Sequence, residues 1–473
     1  MSKSLKGVLI AFAGILALLL LFAWLGPRLL GANVRSRLEV AASDALGMDV
    51  HIGGPVGLRL FPLLHVTLED LRITNHGADV ATVAQATFGI QLRALLHKDL
   101  QIQSLAFKHM TITITRDQNG HFNVQRPPQA PAASRAADIA AVLFTDSSFL
   151  YHDELAGSEF RAEDCKLSLS DLRVSPTQAP ELMSGVSFDA RLACGQMRTE
   201  NIRTSEVKAT VHSEDGVFRF DPITLEVFGG HGSGKVEANF NGALPVYHVH
   251  STVSKFRIAD FSKTVSPAKG AEGTMNFSAD LSMRGTVTAG VMHTVAGEAS
   301  LHGENLVLEI GDLDKEFSHY ESTQSFNLVD VGAFFLAGPI GLAVTKGYDF
   351  AKILKKSEGQ TTILTLVSEW KIEQGIALAQ DVAMATSKNR VAMKGGLNFV
   401  NATFEDVIVA LVDPKGCSRV EQKIRGPFRG PDVEKPNVLI AIAGPVRKLF
   451  NKTRSALGAK CPVFYAGTVA PPK

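Results

Sequence analysis

The apolar positions of this chain run in three rhythms. From Val8 to Leu25 they are continuous, with Gly14 the one small interruption. At about 1.5 Å per residue this stretch makes a helix of roughly 27 Å, close to the roughly 30 Å core of a bilayer. Trp24 sits at its far end, where an amphipathic ring favours the headgroup level. Lys3 and Lys6 precede it, and the tail 1–7 is expected in the cytoplasm. Arg28, Arg35 and Arg37 follow, so the orientation rests on the tendency of long trailing domains to translocate. Gly26-Pro27-Arg28 lacks the small-residue pattern of a cleavage site, which predicts a retained anchor over 8–25 rather than a removed signal peptide.

The second rhythm is short. Val34, Leu38, Ala41 and Leu46 fall near one helical face, and Gly47 supplies a stop, predicting an amphipathic helix over 33–46. The period then changes from 3.6 to 2. Val50 and Ile52 alternate with polar neighbours, as do Val66-Leu68 and Leu71-Ile73 across an irregularity at Glu69-Asp70, and then Ile112 and Ile114. The alternation resumes at Leu167-Leu169 and Leu172-Val174 and continues through Phe218-Phe220, Ile223 to Val227, Val236 to Phe240 and Phe277 to Leu281. It is cleanest late in the chain, at Leu364 to Ile372, Leu397-Phe399 and Val407 to Leu411. Gly, Asn and Asp separate these runs, the mark of a meander of hairpins, with roughly 20 to 24 strands in all.

Organisation follows from the interruptions. Residues 33–125 form an N-terminal region of helix and strands. Residues 126–134 (RPPQAPAAS) are a Pro/Ala-rich linker or long loop that cannot hold a central strand. Residues 135–473 form the larger body. Within it, about 328–345 is apolar on nearly all sides and contains Gly338-Pro339, predicting a helical insert that either caps one end of the sheet, the favoured reading, or dips into a membrane surface. The fold class expected is mainly β: an N-terminal transmembrane helix, then an elongated, curved antiparallel sheet shaped as a groove, with a few short helices.

Composition narrows the chemistry. The net charge of +1 gives no general pull toward nucleic acid. The 27 Phe against five Tyr and two Trp suit surfaces that are apolar without a polar handle. Four cysteines, none in the anchor and none in CxxC spacing, predict two disulfides in an oxidising compartment, Cys165 with Cys194 and Cys417 with Cys461. Gly229 to Val236 (GGHGSGKV) approaches a phosphate loop, but Val236 stands where the Mg²⁺-binding hydroxyl belongs and the following residues alternate as a strand, so a glycine-rich hairpin turn is expected. His248 and His250 share a strand face without an evident third ligand. No cofactor, metal site or enzymatic activity is expected.

Several segments together resemble the AsmA family of bacterial envelope proteins. These are Ala45 to Gly54 (ALGMDVHIGG), Leu58 to Asn75 (LRLFPLLHVTLEDLRITN), and Leu105 to Thr115 closed by Asp117-Gln118-Asn119-Gly120-His121-Phe122-Asn123. At the far end Gly416-Cys417, Gly426-Pro427-Phe428, Pro431 and Cys461 to Gly467 (CPVFYAG) are similar to the family's C-terminal region. The resemblance implies a single-pass inner-membrane protein with its body in the periplasm. It also implies a part in outer-membrane assembly and, by likeness to bridge-like lipid-transfer proteins, in phospholipid movement. The partners expected are phospholipid, the inner membrane and another envelope protein at the far end of the groove, with no nucleic acid.

Periodicity adds a mechanism. A sheet with one apolar face can curl into a trough for acyl chains. The lining candidates are Phe218, Phe220, Leu225, Val227, Phe240, Phe277, Leu364, Leu366, Leu397, Phe399, Val407 and Val409. Each of these also fits ordinary sandwich core. The rival function is an assembly factor that binds outer-membrane proteins along exposed strand edges.

Overall fold

The computed structural model of the chain describes residues 35–59, 64–90, 102–124, 137–174, 185–309, 311–317, 359–434 and 461–473, with short breaks at 45, 201, 266–269, 286–287, 316 and 429. The anchor expected at 8–25, the linker at 126–134 and the insert at 328–345 lie outside the described residues. Among the described residues no helix is long and apolar enough to cross a membrane. The fold is mainly β, antiparallel and open, with few helices. It divides into two compact units, Met1–Gly216 and Val217–Lys473.

The first unit opens on a helix at 35–44, bounded by Gly47 at φ 67°. The helix is tied to the chain that follows it. Val50 N donates to Ser43 Oγ (2.9 Å), Ile52 N to Glu39 Oε1 (2.8 Å), and Arg35 to the Gly54 carbonyl (2.7 Å). Strands β1 (Asp49–Ile52) and β2 (Val56–Arg59) both pair with β3 (Leu64–Asn75). Then follow β4 (Ala78–Ile90), β5 (Ile102–Arg116), β6 (Ala137–Asp153), β7 (Ser158–Val174), β8 (Val186–Thr199) and β9 (Arg203–Glu214), each paired with the next.

One pairing departs from the expected meander. β5 and β6 run parallel, from Ser104 opposite Ala141 to Arg116 opposite Asp153. Parallel neighbours need a crossover where antiparallel ones need only a turn, and the Pro/Ala-rich stretch falls in that crossover. The segment Asp117 to Asn123 prepares it. Asp117 Oδ1 accepts from the Asn119 and His121 amides, both at 2.8 Å, and Gly120 takes φ 84°. Asn123 then plugs the edge of β5, donating to Thr113 O (2.9 Å) and accepting from Thr115 N (3.0 Å).

A seam crosses this unit. Asp70, His109, Asp146, Asp164 and Glu206 all have φ between 48° and 54° although they lie inside strands. The registers bring Ala84 opposite Asp70 and His109, and Gly195 opposite Asp164 and Glu206. The line therefore runs from β3 to β9. A left-handed residue inside a strand is a bulge that shifts the side-chain alternation by one. As a result Leu68 and Leu71, three apart, share one cluster, as do Val83 and Ala86, with Phe107 and Met110 packed against them. β3 and β4 thus keep these apolar residues on a single face on both sides of the seam.

The second unit is antiparallel throughout. Its strands are β10 (Val217–Val227), β11 (Gly230–Asn239), β12 (Val246–Arg257), β13 (Ala271–Glu272), β14 (Thr274–Arg284), β15 (Ala296–Leu308), β16 (Thr361–Glu373), β17 (Ile376–Thr386), β18 (Arg390–Asn398), β19 (Thr403–Val412), β20 (Ser418–Pro427) and β21 (Asp432–Val433). β12 pairs with β14, and the short β13 with β15. The glycine-rich run is a strand rather than a turn: only Phe228-Gly229 turn the chain, and Gly230 onward is β11. Its glycines admit neighbours, since a Cβ on Gly232 would meet Leu225 at 2.8 Å and one on Gly234 the His250 carbonyl at 2.6 Å.

The main core gathers Phe256, Phe261, Leu301, Leu306, Trp370, Met384, Val391 and Leu411 from β12 to β19 and from the helix Ile258–Val265. A second, smaller cluster holds Val367, Ala383, Ala385, Ala392, Ala410 and Val412 with Tyr465 and Val469 of the C-terminal segment. Both expected disulfides are present, Cys165–Cys194 and Cys417–Cys461. The first joins directly opposed residues of β7 and β8.

Candidate functional site

The apolar face of the first unit is built from rows that cross the strands. One row runs Phe88, Leu105, Val142, Leu169, Ala190, Val211, and the next Ala86, Phe107, Phe144, Leu167, Leu192, Ala209. Beyond the seam another runs Ala81, Ile112, Phe149, Ala162, Met197. The small members are buried by their neighbours (Val142 6%, Ala162 4%, Ala190 4% exposed). The large ones are not. Leu105, Phe107, Ile112, Phe144, Phe149, Leu167, Leu169, Leu192 and Met197 are all only half-buried. Phe107 and Phe144 stack at 5.0 Å, and Phe149 meets Phe160 at 6.1 Å. Cross-strand aromatic contacts hold these rings upright on the sheet without covering them.

The face ends in a polar group where β5 and β6 finish. Tyr151 Oη donates to Asp153 Oδ2 (2.9 Å), Arg116 approaches the same oxygen at 3.3 Å, and the Ala156 amide donates to Asp153 Oδ1 (2.9 Å). The Ala156 N–H, then Tyr151 and Arg116, hold the Asp153 carboxyl below the usual carboxylate range. Desolvation, then the hydrogen bond to Asp153, pushes the Tyr151 phenol up. The opposite face of the same strands is polar: Lys108, Arg191 and Lys208 are exposed, and His212 Nδ1 lies 2.8 Å from Asp189 Oδ1.

The second unit distributes the twelve lining candidates unequally. Phe218, Phe220, Leu225, Val227 and Phe240 stand on or next to β10 and β11; Phe220, Leu225 and Phe240 are half-buried, Phe218 (9%) and Val227 (8%) nearly covered. The Phe218 and Phe240 rings meet edge to face at 5.4 Å. Phe277 and Phe399 are half-buried against the main core. Leu366 (3%), Leu397 (0%), Val407 (1%) and Val409 (0%) lie inside that core. Leu364 is 38% exposed, turned out by a register shift between Ile363 and Thr365. The late strands, whose alternation is cleanest, are therefore the most completely filled. The open apolar surface lies earlier, on β5 to β9, where the pattern marked Ile112, Leu167 and Leu169 as strand and none of the residues as lining. The overlooked signal is an apolar pair three apart around an Asp or His, as at Phe107/His109/Met110.

Other chemistry is sparse. His250 shares its exposed strand face with His248, and its Nδ1 lies 3.1 Å from Asp280 Oδ2. It borders a shallow polar depression with Ser278, Glu298, Ser300, Glu369 and Lys371. Among the described residues no group of three or more His, Cys, Asp or Glu could hold a metal ion.

Against this geometry, the model of the AsmA family matches residues 1–175 and 170–323. The chain belongs to the AsmA family. The match takes in the whole seamed unit and the strands of the second unit as far as β15. No curated protein matches the chain.

Proposed function

We propose that this AsmA-family protein binds phospholipid acyl chains on the half-buried apolar face of β5 to β9 and moves or holds them in support of outer-membrane biogenesis. The observation that carries this reading is the contrast in exposure: Phe107, Phe144, Phe149, Leu167 and Leu192 are only half-buried, while Leu397 and Val409 are sealed. Exposed apolar patches of more than a few hundred Å² mark binding surfaces. Uncharged rows ending at Arg116, Tyr151 and Asp153 suit an amphipathic ligand whose tail lies on the sheet and whose headgroup stays in water. The role is binding and transfer, without catalysis.

The anchor expected at 8–25 holds the body at the inner membrane, and two disulfides fit a periplasmic location for that body. The test is mass spectrometry of lipid copurifying with the full chain, wild type against Phe144→Asp. Near-stoichiometric phospholipid in the wild type, reduced at least tenfold in the variant, is expected. A folded wild-type protein that carries protein partners but no lipid overturns the reading in favour of an assembly factor.

A further inference from the structure

On β16 to β19 one face of the second unit carries Val367, Ala383, Ala385, Ala392, Ala410 and Val412, and there the C-terminal segment 461–473 lies on it. The attachment is specific. Phe464 and Tyr465 donate their amides to the Gly416 carbonyl (2.8 and 2.9 Å). Tyr465 Oη donates to Asp381 Oδ1 (2.6 Å), and the amide and hydroxyl of Thr468 both donate to Asp381 Oδ2 (2.8 and 2.7 Å). Arg390, 6% exposed, donates to Val469 O (2.9 Å) and Asp413 O (2.7 Å), with its guanidinium 5.3 Å from the Tyr465 ring centre. Lys394 Nζ lies 5.0 Å from the Phe464 ring. Desolvation, then Asp381, raises the Tyr465 phenol far above its ordinary value. The covalent tie is Cys417–Cys461.

We propose that residues 461–473 form a redox-set clasp, locked on the outer face of β16 to β19 by Cys417–Cys461 and opened when a soluble dithiol reduces that bond. The two disulfides differ in reach. Cys461 is exposed and Cys417 buried, whereas Cys194 is buried and Cys165 half-buried on the apolar face of the other unit. The dithiol's thiolate attacks Cys461 Sγ and expels Cys417 as a thiolate, which takes up a proton. The second thiol then attacks the mixed disulfide and frees Cys461. Two electrons and two protons pass to the protein, and the dithiol leaves as its own disulfide. The clasp is then held only by its noncovalent contacts, with Asp381, Arg390, Lys394 and the Gly416 carbonyl and through the packing of Tyr465 and Val469, and opening bares the alanine-rich patch. This inference does not rest on the lipid reading.

The test is hydrogen exchange on the full-length protein, Cys417→Ser/Cys461→Ser against wild type. Amides of Tyr465, Thr468 and Val469 are expected to exchange at least tenfold faster in the variant, while β7 and β8 stay unchanged. Equal exchange at those three amides overturns the proposal. A dithiothreitol titration of the wild type, with alkylation to count the freed cysteines, gives a second reading independent of any folding defect. Cys417 and Cys461 are expected to label at a dithiol concentration at least tenfold below that needed for Cys165 and Cys194. The reverse order, or simultaneous labelling, overturns it.

Discussion

Asp146 illustrates what single residues do here. It holds φ 49° in mid-strand, where an L-residue with a branched Cβ is strained by about 1–2 kcal/mol, while Asp, Asn and Gly are tolerated. Asp146→Val should therefore lower the stability of the first unit by about that amount, and Asp146→Gly should leave it within a few tenths of a kcal/mol; thermal unfolding of the two variants checks the difference. His212 offers a pH-dependent counterpart. Its hydrogen bond to Asp189, then the nearby Glu214, raises its pKa. The contribution is thus present below about pH 6.5, the unfolded value, and lost as pH rises through the folded one. Asp189→Asn should move the His212 midpoint down when followed by NMR. Asp153 runs the other way. Held low by the Ala156 amide first, its contribution is present above about pH 4 and lost as pH falls through its folded value.

At the scale of elements, period 2 located β1, β3, β5, β7, β10, β11, β14, β16, β18 and β19 because burial of one face imposes it, and a helix near 33–46 was legible from its 3.6 spacing and its glycine stop. Direction was not legible. Nothing in the alternation of Ile112 and Ile114 distinguishes a parallel neighbour from an antiparallel one, so the β5–β6 pairing emerges only from the register. The segment Asp117 to Asn123 does carry a trace of it, since Asn123 satisfies the edge groups of β5 beside the crossover. Asn123→Ala should destabilise the first unit by about 1–3 kcal/mol, the range for a lost buried hydrogen-bonding partner. Chemical denaturation gives the value, and an unchanged midpoint would remove the plug from the account. The glycine-rich run misleads for a related reason: Gly232 and Gly234 are there to admit Leu225 and the His250 backbone, not to turn the chain.

For the molecule as a whole, the mainly β class and the two disulfide pairings could be read from the chain, but the position of the open apolar face could not. Filled and open faces share one alternation, because Leu397 and Phe144 are equally apolar and only what packs over them differs. That difference is the central claim, and site-specific photo-crosslinking tests it most directly. A photoreactive residue placed in the full-length protein at Phe107, Phe144 or Leu167 should form phospholipid adducts. One at Leu397 or Val409 should form none. Adducts at Leu397 and Val409 with none at Phe144 would contradict the account and move the lipid path to the second unit.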